Sequence, residues 1–130
     1  MEKRLKSTNI GKFGENVAKK YLVNKGLKYL KSNYHSKYGE IDIIFEDDKY
    51  IIFVEVKTRK EGALVRGVDS VNNFKKVKIL KTALVYISEF NPQKQPRFDV
   101  LEVIVNRKGE CFKINHFQNA FDMEELDAFF

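Results

Sequence analysis

One cysteine, two prolines and no apolar run longer than five residues set the first bounds on this 130-residue chain. Cys111 has no partner for an intrachain disulfide, so a core must hold the fold, and a reducing, cytoplasmic setting is expected. The longest apolar stretches, residues 50–54 and 83–87, fall far short of the roughly 20 residues a membrane-spanning helix needs, so no membrane partner is expected. The opening Met1-Glu2-Lys3-Arg4-Leu5-Lys6 is basic but leads into no apolar stretch, and no secretory signal is expected. Pro92 and Pro96 share one loop. No repeat, low-complexity tract or Pro/Gly/Ser linker interrupts the chain, so residues 1–130 read as a single domain. No glycine-rich phosphate loop of the Walker type is present, because Gly11-x-x-Gly14 is too short and lies within a helical pattern.

What is abundant is apolar and basic. Eleven Phe and six Tyr supply area for a real core and exclude a disordered chain. Lys and Arg number 24 against 18 Asp and Glu, a net charge of +6. That balance favours polyanions through counterion release, and it equally serves plain solubility. Lysine crowds the first third of the chain and residues 74–81, whereas residues 122–127 are acidic.

Residues 8–24 have helical periodicity, with Ile10, Phe13, Val17 and Tyr21 recurring every three or four positions and Ala18 and Leu22 on the flank. Gly11 and Gly14 lie on the same arc, where small residues would admit a very close neighbour, and Glu15 sits at its edge. Gly26 can end the helix. Strand patterns follow at about 28–34, 39–46 and 49–58, the last two joined by a polar turn at Glu46-Asp47-Asp48-Lys49 and apolar on both faces, as interior strands are. A loop is expected over 59–69 and a second helix over 70–90. In that helix Val71, Phe74, Val77, Leu84 and Ile87 are expected inward, and Lys75, Lys76, Lys78 and Lys81 outward. Strands at 97–105 and 111–116 and a short helix at 122–130, with Asp122 and Glu125 as a capping box, complete the chain. The order suggests an α/β fold, a mixed sheet flanked by helices.

The hairpin carries the chemistry. Alternation puts Glu55 and Lys57 on one strand face with Ile51 and Phe53, and a turn centred on Asp48-Lys49 places Asp42 directly opposite Glu55. Facing carboxylates are destabilising in themselves, and apolar neighbours would raise one pKa. Two cations relieve the conflict: Lys57 on the same face, or a hard divalent metal that takes carboxylate oxygens and keeps several waters. Elsewhere, His35 and His116 read as surface or core-edge histidines rather than ligands, and Cys111 as simply buried. Lys75, Lys78 and Lys81 recur every three residues; they can track phosphates, and a solvated helix face has the same pattern.

Gly39-Glu40-Ile41-Asp42 followed by Phe53-Val54-Glu55-Val56-Lys57-Thr58-Arg59 resembles the signature of the PD-(D/E)XK nuclease superfamily. More closely, the chain resembles the bacterial YraN-type family, uncharacterised proteins related to archaeal Holliday junction resolvases. The likeness runs nearly the whole chain: Gly11-Lys12-Phe13-Gly14-Glu15 with Ala18 and Tyr21-Leu22, Asn33-Tyr34, Val68-Asp69, Arg97-Phe98-Asp99-Val100 and Asn119-Ala120-Phe121. The superfamily's proline before the aspartate is replaced here by Ile41.

The resemblance implies a restriction-endonuclease-like fold and hydrolysis of DNA phosphodiesters with Mg²⁺ or Mn²⁺, branched or junction DNA being among the substrates. By similarity, Asp42, Glu55 and the backbone carbonyl of Val56 would be metal ligands, Lys57 the superfamily's lysine and Glu15 the acidic residue of the first helix. Arg59, Lys75, Lys78 and Lys81 would hold backbone phosphates. Junction resolvases of this fold work as dimers, so a homodimer is one expectation. The competing readings are a non-catalytic nucleic-acid-binding module on a nuclease scaffold, and an interaction protein whose acid pair Lys57 neutralises.

Overall fold

A computed structural model of the chain describes residues 7–62 and 71–124. Seven elements follow in order: α1 (Ser7–Asn24), β1 (Lys28–Ser36), β2 (Gly39–Glu46), β3 (Tyr50–Lys60), α2 (Asn73–Phe90), β4 (Gln95–Val105) and β5 (Cys111–Phe121). The strands form one mixed sheet in the order β1-β2-β3-β4-β5. Every neighbouring pair is antiparallel except β3 and β4, which run parallel and are connected through α2. This is the α/β architecture expected, a mixed sheet with helices, consistent with a restriction-endonuclease-like fold. No helix among the described residues is long and apolar enough to cross a membrane.

The sheet divides the core in two. On the α1 side Ala18 and Leu22 pack on Ile43, Phe45, Ile52, Val54 and Leu101. On the α2 side Ile79, Leu80, Ala83 and Tyr86 pack on Ile44, Ile51, Phe53, Phe98 and Val100. β2 and β3 have fully buried side chains on both faces, as interior strands should. Alternation breaks in β2, where Ile41 and Ile44 both face the α2-side core and Ile43 the other. Asn33, between the paired residues Ser32 and Tyr34, has φ +53, so β1 is irregular beside this break.

The helices differ in detail from expectation. Gly14, Ala18 and Leu22 form the most buried row of α1, with Phe13, Val17 and Tyr21 half-buried beside it. The close approach foreseen for small residues occurs at Gly14 alone: an added methyl there would collide with the Thr58 side chain, whereas nothing lies near Gly11. Gly14→Ala is therefore expected to destabilise by about 1–3 kcal/mol, the cost of overpacking. Gly11→Ala should instead stabilise by up to about 1 kcal/mol, the ordinary helix gain. Paired urea titrations check this, and a stabilised Gly14→Ala would contradict the packing.

α2 begins at Asn73, not 70, because the Asn72 side chain caps it by accepting the Lys75 N–H at 3.0 Å; Asn91, at φ +43, closes it. Its buried residues are Ile79, Leu80, Thr82, Ala83 and Tyr86, so the inward assignment of Phe74 and Leu84 fails: they are 68% and 42% exposed. Apolar residues occur on every side of this helix, and the sheet buries only the row that packs against it. β3 extends to Lys60, so Arg59 belongs to a strand and not to the loop, since parallel pairing with β4 continues as far as Lys60–Val105. β5 continues to Phe121. Cys111 is exposed at its first residue, not buried. The expected Val68-Asp69 segment and the terminal helix beyond residue 124 lie outside the described residues.

Candidate active site

The β2–β3 ladder runs from Glu46–Ile51 to Ile43–Val54, the register that brings Asp42 opposite Glu55. Beyond Val54 the Asp42 side chain replaces the backbone as partner: its Oδ2 accepts the Val56 N–H at 2.8 Å. The Val56 carbonyl leaves the strand on the same edge as that N–H and so faces the same gap. On β3, Lys57 Nζ lies 3.1 Å from Glu55 Oε1, as strand alternation requires of two residues sharing a face. These groups and Glu15, carried in by α1, line one open cleft of about 390 Å³ together with Ile10, Gly11 and the end of β3. Its neighbour, a groove of about 490 Å³ between α1 and β1, shares Gly11 and Glu15.

The electrostatics are strained in one direction. Burial, reinforced by the Glu55 and Glu15 charges, pushes the Asp42 carboxyl up to about 8, although the Val56 N–H and Lys57 pull against it. Glu15 is likewise raised, first by burial and then by Glu40 and Glu55. Two carboxyl groups thus resist ionising where one lysine is the nearest counter-charge. Lys75 of α2 reaches the same place: its pKa is lowered chiefly by the Lys57 ammonium beside it.

The donor set fits a hard divalent cation. Asp42, Glu55 and the Val56 carbonyl offer oxygens only, and the excess of negative charge is the conflict such an ion relieves. Among the described residues no three acidic, His or Cys side chains form a ready-made cage.

The basic residues separate into groups. Lys75 adjoins Lys57. Lys78 lies against Gly39, where an added Cβ would sit 3.2 Å from the lysine Cβ, and Lys81 Nζ is 5.4 Å from the Tyr38 ring. Arg59 lines the cleft, but its Nε donates to Glu102 at 3.0 Å. His35 is exposed, 3.7 Å from Glu40.

Sequence reasoning overlooked two buried polar clusters. Glu102, fully buried and paired across the parallel ladder with Lys57, accepts from Arg59 and from Asn115 at 2.7 Å. Asp99, also fully buried, accepts two bonds from Arg97 at 2.9 Å, the Asn119 N–H at 2.9 Å and His116 Nε2 at 2.8 Å. Burial alone would raise the Asp99 carboxyl, but the His116, Arg97 and Asn119 hydrogen bonds outweigh it and hold it low. An ionised carboxylate only accepts, so His116 presents Nε2–H to it, and Nδ1 is buried with no hydrogen-bond partner among the described residues. The available signal was a charged residue at Asp99 and at Glu102 within an otherwise apolar strand pattern.

The sequence model of the family described as "Uncharacterised protein family UPF0102" matches residues 14–103. A UPF0102 protein of Caldanaerobacter subterraneus subsp. tengcongensis is 43% identical over 121 residues, 92% of this chain and 99% of the relative. One from Sulfurihydrogenibium sp. is 48% identical over 118 residues, 90% and 97% of the two chains. Another, from Clostridioides difficile, is 46% identical over 112 residues, 85% and 95%.

Proposed function

The chain belongs to the uncharacterised protein family UPF0102, the YraN family, and from that premise and the cleft we propose that it is a divalent-metal-dependent DNA endonuclease. The observation that carries this reading is the half-buried pair Asp42 and Glu55, set facing by the β2–β3 register, with Lys57 3.1 Å from Glu55. As a structural device alone it costs stability; as a cation and phosphate site it is what phosphoryl transfer needs.

Asp42, Glu55 and the Val56 carbonyl would hold Mg²⁺ or Mn²⁺, with Glu15 a further carboxylate for a second ion. Bound there, the ion supplies Lewis acidity toward a phosphodiester oxygen and a water nucleophile at neutral pH. Lys57 Nζ orients the attacking water or neutralises charge growing on the phosphorus oxygens. The Asp42–Val56 hydrogen bond fixes the carboxylate plane, so one Asp42 oxygen is committed and the other faces the cleft. Lys75, Lys78 and Lys81, with Arg59 at the cleft wall, hold backbone phosphates and give affinity without sequence choice.

The test is a panel of labelled DNAs (single strand, duplex, flap and four-way junction) incubated with the pure protein and Mn²⁺. Cleavage of at least one form, abolished by EDTA and by Glu55→Gln, is expected. DNA bound but never cut would reduce the protein to a nucleic-acid-binding module.

A further inference from the structure

Phe74 is the most exposed large apolar side chain among the described residues, at 68%, and it projects from the first turn of α2. Its i+4 neighbour Lys78 sets its Nζ 4.3 Å from the ring centroid. Tyr38, 38% exposed, occupies the two-residue turn between β1 and β2, with Lys37 and Lys81 at 5.2 and 5.4 Å from its ring. This turn is held against α2: Ser36 Oγ takes the Tyr38 N–H and bonds Thr82 Oγ1 at 2.8 Å, and Gly39 lies under Lys78. The two rings therefore flank one lysine row on α2, spanning about 10 Å from residue 74 to 81. Lys75, on the same turn as Phe74, reaches Lys57 in the cleft.

We propose that Phe74 and Tyr38 form a stacking platform for unpaired bases, so that the cleft is served by DNA carrying a single-stranded segment beside the scissile phosphate. The inference rests on the nuclease reading for the cleavage and adds the substrate class. Charge selects the occupant: residues 73–84 contain four lysines and no acid, which suits a strand whose phosphates alternate with flat apolar bases. A purely solvated lysine face has no use for two exposed rings, and a continuous duplex hides the base faces that rings can stack on.

Binding in EDTA by fluorescence anisotropy separates this from catalysis. The probes are a labelled oligothymidine and a blunt duplex of equal charge. Phe74→Ala and Tyr38→Ala are each expected to weaken single-strand binding at least about fivefold while leaving the duplex within twofold. Phe74→Trp should retain affinity and Phe74→Leu should not. Equal losses on both probes, no loss on either, or full rescue by leucine would overturn the platform. So would dimerisation that Phe74→Ala abolishes, in sedimentation, without any change in single-strand binding, since the rings would then serve a second copy. Single-strand binding that depends on both rings, with no cleavage in Mn²⁺, upholds the platform and overturns only the nuclease reading.

Discussion

Asp42→Asn is expected to leave a folded protein that no longer responds to divalent metal. Asn is nearly isosteric, keeps an oxygen for the Val56 N–H, and removes one of two facing charges. In EDTA near pH 4, where Asp42 is protonated in the folded state, the variant should match wild type, and by pH 8 it should be more stable by at least about 1 kcal/mol. In Mn²⁺ at a hundredfold excess over its dissociation constant, wild type gains about 2.7 kcal/mol and the variant should gain little. Any nuclease activity should fall more than about a hundredfold, since disturbing even the outer partner of a metal ligand costs about 10–100-fold. The pH dependence has a definite sign. The folded state keeps a proton on Asp42 that the unfolded chain releases near pH 4, so metal-free wild type loses stability as pH rises from about 4 to 8. The slope from Asp42 is at most about 1.4 kcal/mol per pH unit, and Asp42→Asn should remove that share while leaving the part due to Glu15. Thermal melts of both proteins across that range, in EDTA and in Mn²⁺, test all of this. A variant that melts lower in EDTA yet keeps the full Mn²⁺ shift would make Asp42 a structural residue.

The opposite behaviour is expected of Asp99→Asn. Here the carboxylate is satisfied by four hydrogen bonds, and an amide cannot accept from both Arg97 nitrogens and His116 together. A largely buried guanidinium is left without its counter-charge, which costs about 3–5 kcal/mol. A domain of this size has about 5–15 kcal/mol in all, so the variant would be marginal at physiological temperature. Because the folded Asp99 carboxyl is held low, its contribution is fully present above the unfolded value near pH 4 and is lost as pH falls below it. Urea denaturation at pH 7 and pH 3 measures both effects. A loss below about 1 kcal/mol at pH 7 would mean the cluster is replaceable. Adding Arg97→Met should recover part of the loss, because the stranded charge goes with it.

These two carboxylates mark the boundary of what one sequence discloses. Asp42 and Glu55 meet through a short hairpin, where the turn at Asp47-Asp48 and strand alternation suffice to set the register. Asp99 meets His116 and Asn119 only because β5 pairs with β4 around a register shift, and Asn119 adopts φ +50 there. No local pattern encodes that shift. The end of β3 is hidden for a similar reason: Arg59 has loop composition until its parallel partner Ile104 is known. On α2 the lysines indicated an outward side, but Phe74 is apolar and outward too, so periodicity alone pointed the ring the wrong way.

The seat of α1 on β3 has a mechanical consequence. A helix resting on flexible side chains can roll about its axis; at Gly14 the backbone itself is pressed against Thr58, one residue beyond Lys57. A roll of about 20° would carry a side-chain tip roughly 2 Å, given a helix about 10–12 Å across with its side chains. Displacements of even 1 Å can cost a reacting site about a hundredfold. The missing methyl thus acts as a rotational stop that fixes the azimuth of Glu15, the very next residue. A carboxylate delivered from a separate layer of the fold is thereby kept in phase with the two on the hairpin.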